Sequence, residues 1–167
     1  MQAGSTAATA YVGLGANLAD PRQQLSRAID ALSLLPRTQL LARSSLYRSA
    51  PVGKADQPDF VNAVAALRTE LAPLELLDAL LDLEAGQGRV RSVPNAARTL
   101  DLDLLLFDDR VIREPRLEVP HPRMHERRFV LLPLAELNPD LIIPGHGPVA
   151  DLLPRVAGQD VTRIDAE

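Results

Sequence analysis

The apolar positions along the chain fall into two alternating periods. Residues 11–14, Tyr-Val-Gly-Leu, form a short apolar run ending among glycines and predict a buried strand. Asp20-Pro21 then opens a helix: the aspartate can accept from first-turn amides, proline tolerates its missing donor there, and Gln23 stands at capping-box spacing. Leu25, Ala28, Ile29 and Leu32 recur at helical spacing, so this helix lays one face on a core and should stop near Pro36. Residues 40–48 read as a second strand, 51–59 as a loop with two prolines and a glycine, and 60–69, rich in Val and Ala, as a third strand. A second helix starts at Pro73, carries Leu76, Leu77, Leu80, Leu81 and Glu84 on one side, and ends at Gly86 or Gly88. Residues 98–107 make a fourth strand. Beyond Asp108 the chain is rich in Pro and Arg; a short helix is expected over 129–137, with Pro133 in its first turn, and a small element near 149–156.

The order strand, helix, strand, strand, helix, strand is the split βαβ pattern. It predicts an α+β fold, a ferredoxin-like α/β sandwich (βαββαβ) with C-terminal additions and a mainly antiparallel sheet. Both helices should lie on one face of that sheet, leaving the other free for a ligand.

Composition narrows the field. A chain of 167 residues with evenly spread apolar positions fits one compact domain. Residues 1–9 are small and polar, unlike a signal peptide or an anchor, and are expected to be a disordered tail before a single domain over 10–167. The absence of cysteine excludes disulfides, thiolate metal sites and a thiol nucleophile, and suits a cytoplasmic protein. No apolar run approaches the roughly 20 residues that span a bilayer, so no membrane partner is expected. The net charge of −4 argues against a general nucleic-acid binder. Residues 89–128 nevertheless hold nine arginines against seven acids, which marks where an anionic ligand would sit.

Candidate chemistry concentrates in that stretch. In Leu100-Asp101-Leu102-Asp103-Leu104 leucine and aspartate alternate, so both carboxylates share one strand face while the leucines enter a core. Adjacent carboxylates repel, and a divalent cation such as Mg²⁺ relieves that cost while accepting phosphate oxygens as further ligands. A merely solvated acidic face is the plainer reading of an isolated D-x-D. Arg89, Arg91, Arg98, Arg116, Arg127 and Arg128 surround the pair in sequence, and guanidinium forks beside metal-binding acids are what phosphoryl transfer requires. His121, between two prolines, can donate to a phosphate or serve as a turn histidine. Gly13-Leu14-Gly15 lacks the third glycine of a dinucleotide fingerprint, and no G-x-x-x-x-G-K-[ST] occurs; these glycines suit a tight turn or the close approach of a neighbour. Phe60 and Asn62 point to the same side, where a planar heterocycle could stack on the ring while the amide reads its edge, and Phe129 could form the opposite wall. Core packing is the alternative for both rings.

Taken together, Y-V-G-L-G-A-N-L at 11–18, S-A-P-V-G at 49–53, Q-P-D-F-V-N at 57–62, G-R-V-R at 88–91, R-T-L-D-L-D-L at 98–104 and V-P-H-P-R at 119–123 resemble the 6-hydroxymethyl-7,8-dihydropterin pyrophosphokinase family. The resemblance spans roughly residues 10–156. It implies transfer of pyrophosphate from ATP to the pterin hydroxymethyl group, with AMP released, by a monomer of the folate pathway. It further implies two Mg²⁺ ions on Asp101 and Asp103. Arg89, Arg98 and His121 would contact the triphosphate, with Arg91, Arg116 and Arg127 assisting. The pterin would lie between Phe60 and Phe129, its edge met by Asn62 and by backbone around Ser49, Ala50 and Val52. Asn95-Ala96-Ala97 stands where many relatives carry Trp-Gly-Pro, Phe60 where some have Tyr, and Pro122 where others have an aromatic. Rival readings are a γ-phosphoryl kinase, which would yield ADP, a phosphohydrolase, and a non-catalytic ferredoxin-like module that binds an anion or nucleotide without regard to magnesium.

Overall fold

The computed structural model describes residues 7–17, 20–50, 59–86 and 100–164. In chain order its first half runs β1 (Ala8–Ala16), α1 (Pro21–Leu32), β2 (Thr38–Arg43), β3 (Leu46–Ser49), β4 (Phe60–Thr69), α2 (Pro73–Gly86) and β5 (Asp101–Phe107). Then follow β6 (Ile112–Glu114), β7 (Leu117–Val119), α3 (Arg128–Leu137), β8 (Ile142–Ile143), β9 (Gly147–Pro148), α4 (Val149–Leu152) and β10 (Val161–Ile164).

The main sheet has the order β10-β3-β4-β1-β5, with β2 also paired to β4, and every pairing is antiparallel. With β2 and β3 counted as one strand, this is the expected ferredoxin-like arrangement: β1 sits between β4 and β5. β4 has the predicted bounds. β1 begins earlier than expected, and Ala8 and Thr9, assigned from sequence to a tail, pair with Thr69 and Arg68. Asp20 caps α1, its carboxylate accepting from the Gln23 amide.

The single strand expected over 40–48 is interrupted at Ser44-Ser45. At the break the Ser44 amide donates to Val64 O while the Ser44 hydroxyl accepts from the Val64 amide, both at 2.9 Å, so the two amides keep partners.

Two apolar layers flank the sheet. Leu25, Ile29 and Leu32 of α1 and Leu76 and Leu80 of α2 pack on the alternating inward positions of β1, β4 and β5. Leu81, expected on that face, is 45% exposed, which narrows the buried stripe of α2 to Leu76, Leu80 and Glu84. The opposite face is not free along its whole length. Val64, Leu105 and Leu106 are covered there by Leu131 and Leu134 of α3 and Val149 and Leu152 of α4. A bulge makes this possible: Tyr11 faces Leu106 while Val12 faces Leu104, so Leu105 is an extra residue and two successive leucines turn to the α3 side. Pro133 lies mid-helix in α3 rather than in its first turn. It cannot donate to the preceding turn, and the buried Val130, Leu131 and Leu134 on either side hold the helix by packing instead.

Candidate active site

What α3 leaves uncovered is a cavity of about 770 Å³ at one end of that face. Its floor is built by three adjacent strands. Gly15 of β1 faces Asn62 of β4 on one side and Asp101 of β5 on the other, so Asn62, Gly15 and Asp101 form one row across the sheet. Strand spacing places the outer two roughly 10 Å apart. Gly13 faces Asp103 in the next register. Both glycines are interior strand residues rather than turn residues, and their reason is close approach. A Cβ on Gly15 would come within 3.1 Å of Asn62 Nδ2, and one on Gly13 within 3.3 Å of Leu105 Cδ1.

Asp101 and Asp103 both line the cavity, as the leucine alternation requires, while Leu100, Leu102 and Leu104 are buried under the helices. Glu84, buried on α2, accepts from the Leu102 amide at 2.7 Å and so fixes the β5 backbone between the two carboxylates. Ser49 donates from its hydroxyl to Asn62 Oδ1 at 2.6 Å, with both residues buried, which orients the amide. Ser49, Ala50, Phe60, Asn62 and Phe129 all line the same cavity. The Arg127 guanidinium lies 5.6 Å from the centre of the Phe129 ring, a cation–π contact that points it over the ring at the cavity wall.

His121 closes the β5 side. Its backbone amide donates to Leu105 O, and its Nδ1 accepts from the Arg123 amide at 3.2 Å. In the neutral ring the proton then sits on Nε2. Burial pushes its pKa below the usual 6.5, and Arg127 and Arg123 act in the same direction, whereas Asp103 and Glu118 oppose them. The neutral imidazole is therefore the resting donor at neutral pH.

The arrangement thus gathers Asp101, Asp103, His121, Arg127, Ser49, Ala50, Phe60, Asn62 and Phe129 into one cavity. Arg116 is not among its lining residues; its guanidinium pairs with Asp78 of α2 on an exposed surface. Arg89, Arg91, Arg98 and Val52 lie outside the described residues. Sequence reasoning missed Arg123, Glu126 and Gln159 in the lining. For the glycines a signal was available, since Gly-x-Gly in β1 repeats the two-residue spacing of Asp-x-Asp and of Phe60-x-Asn62. Among the described residues no group of three or more His, Cys, Asp or Glu converges to hold a metal unaided. Two carboxylates two residues apart fit an ion such as Mg²⁺, which keeps the rest of its coordination for water and phosphate oxygens.

Residues 11–139 match the family model described as 7,8-dihydro-6-hydroxymethylpterin-pyrophosphokinase. The chain belongs to that pyrophosphokinase family. Among its relatives, the 2-amino-4-hydroxy-6-hydroxymethyldihydropteridine pyrophosphokinase of Pseudomonas aeruginosa is 53% identical over 154 residues, covering 92% of this chain and 95% of the relative. That of Haemophilus influenzae is 46% identical over 157 residues, covering 94% and 98%. A solved structure titled HPPK-DHPS from Plasmodium falciparum superposes with a TM-score of 0.71 at 14% identity. It covers 89% of this chain, which spans only 43% of that longer chain, and the likeness supports the pyrophosphokinase fold alone. Among the described residues no helix is long and apolar enough to cross a membrane.

Proposed function

We propose that this pyrophosphokinase of folate biosynthesis, which transfers pyrophosphate from ATP to 6-hydroxymethyl-7,8-dihydropterin, uses Asp101 and Asp103 to hold two Mg²⁺ ions. The observation that carries the reading is the row Asn62, Gly15, Asp101 across three strands, for it sets an amide that can read a heterocycle two strand spacings from a carboxylate. A side chain at Gly15 would press on Asn62 Nδ2, so glycine there keeps the amide in its place.

In this reading the pterin slides between Phe60 and Phe129, and Asn62, held by Ser49, pairs with its edge together with backbone at Ala50 and Val52. Its hydroxymethyl oxygen then lies toward β5. The hydroxyl oxygen bonds to the β-phosphorus of ATP, the bond from that phosphorus to the α-phosphate oxygen breaks, AMP leaves, and the hydroxyl proton passes to solvent. Mg²⁺ held by Asp101 and Asp103 would supply positive charge against the crowded phosphate oxygens. His121 donates from Nε2 to a phosphate oxygen. Arg127, with Arg89, Arg91 and Arg98, offsets the remaining negative charge, and Arg116 joins them only by exchanging Asp78 for phosphate. The enzyme works as a cytoplasmic monomer on these two small substrates, without nucleic acid or membrane.

The direct test incubates protein, Mg²⁺, ATP and the hydroxymethyl dihydropterin and identifies the nucleotide product. AMP is expected; ADP would indicate an ordinary γ-phosphoryl kinase. Asp103→Asn should retain the fold and lose at least about 10²–10³-fold in turnover, the loss typical of a missing electrostatic element at a reacting centre. Wild-type turnover in that variant, or turnover undiminished by chelation, would remove the metal role.

A further inference from the structure

Arg127 stands at the N-cap of α3 with extended backbone (φ −121°, ψ 112°), and no side chain of its own caps the helix. The amide of the first helical residue is met from elsewhere. Arg128 N–H donates to Gln159 Oε1 at 2.9 Å, while Gln159 Nε2 donates to Glu126 O at 2.8 Å. The Arg128 guanidinium returns the contact, with Nη1 donating to Gln159 O at 2.9 Å and to Val161 O at 3.5 Å. A single primary amide, placed just before β10, therefore bonds the backbone on both sides of Arg127 and lines the cavity itself.

We propose that Gln159 is a positioning residue for pyrophosphoryl transfer: by gripping Glu126 O and the Arg128 amide it fixes the backbone from which Arg127 reaches the nucleotide phosphates. A long guanidinium side chain loses rotamer freedom when it binds, and a root already fixed reduces what remains to be lost. The proposal rests on the reading of Arg127 as a phosphate ligand. Gln159 is exposed, so its replacement should not cost the fold.

The test compares Gln159→Met, which keeps the length and removes both bonds, with Gln159→Glu, which keeps the acceptor and loses the donor. Each is titrated calorimetrically with Mg²⁺ and a non-transferable ATP analogue, beside Arg127→Ala and the Gln159→Met/Arg127→Ala double variant. Freeing the root of one long side chain corresponds to about tenfold weaker binding for Gln159→Met, and Gln159→Glu, which sets a carboxylate against Glu126 O and adds negative charge beside the phosphates, should bind more weakly still. In steady state the loss should appear as a raised KM for ATP at nearly constant kcat. On the Arg127→Ala background Gln159→Met should add nothing, since its effect runs through that side chain. Additive losses, or wild-type binding by Gln159→Met while Arg127→Ala is impaired, overturn the positioning role and leave the Arg127 reading standing. Wild-type binding by Arg127→Ala overturns both.

Discussion

The bond from Ser49 to Asn62 is buried on the cavity floor, so on the proposed reading one pair would serve packing and recognition together. Replacing Ser49 with Ala deprives Asn62 Oδ1 of its donor in a place that water reaches poorly, a loss of roughly 1–3 kcal/mol in stability. Urea denaturation should register it, and the KM for the pterin should rise in the same variant because the amide is then free to turn. An unchanged KM would separate Asn62 from substrate recognition. Such pairs are only half visible in a sequence. Phe60-x-Asn62 announces a shared face through strand alternation, but the partner comes from β3, and only the register of Ser49 against Phe60 brings the hydroxyl within reach. His121 is similar: two flanking prolines mark it as special, whereas its neutral state follows from burial and from guanidinium groups near it in the fold.

Among the elements, β1 carries the least chemistry and the strictest steric demand. Gly15→Ala would set a methyl against Asn62 Nδ2, and because Ser49 ties that amide down it has little room to yield. A displacement of a few tenths of an ångström at a binding group should raise the pterin KM about tenfold. Stability should hold or improve, since alanine is less costly than glycine inside a strand. Gly13→Ala meets the buried Leu105 at 3.3 Å rather than a binding group and should be the milder change for the pterin KM, so steady-state kinetics on the two variants give the comparison. A Gly15→Ala enzyme with unaltered pterin KM would refute this account of the floor. β4 was legible residue by residue, and so was the cap of α1, because both depend on local pattern. The break at Ser44 was not, as a hydroxyl standing in for a ladder group leaves the apolar alternation almost intact. β10 was invisible for another reason: only Val161 of its four residues is buried, and its pairing with β3 joins positions more than a hundred residues apart.

For the molecule as a whole, the helix layer over the site must be fastened to the sheet, and Glu136 does much of this. Its carboxylate accepts from the Ser45 amide at 3.0 Å and from the Ser45 and Tyr47 hydroxyls at 2.8 Å, joining the end of α3 to the start of β3. Burial alone would raise the Glu136 pKa, but the bonds from Tyr47 and Ser45 outweigh it and hold the group below 4.5. Tyr47, pushed up to about 12 by burial and by this same carboxylate, stays a donor throughout the neutral range. A carboxyl depressed in the folded state lends stability that is complete above its unfolded value and disappears as pH falls through the folded one. Unfolding free energy should therefore decline below pH 4.5, and Glu136→Gln should lower stability at pH 7 while flattening that acid limb. Urea melts between neutral and acid pH would show parallel curves if Glu136 were idle. The bulge at Leu105 has a consequence at this scale too. One strand offers carboxylates at its start and, two residues later, a pair of leucines to the layer that seats Phe129. The gauge between the paired carboxylates and the layer under α3 is thus a length of β5 backbone, clamped by Glu84 at one end and by the buried leucines at the other.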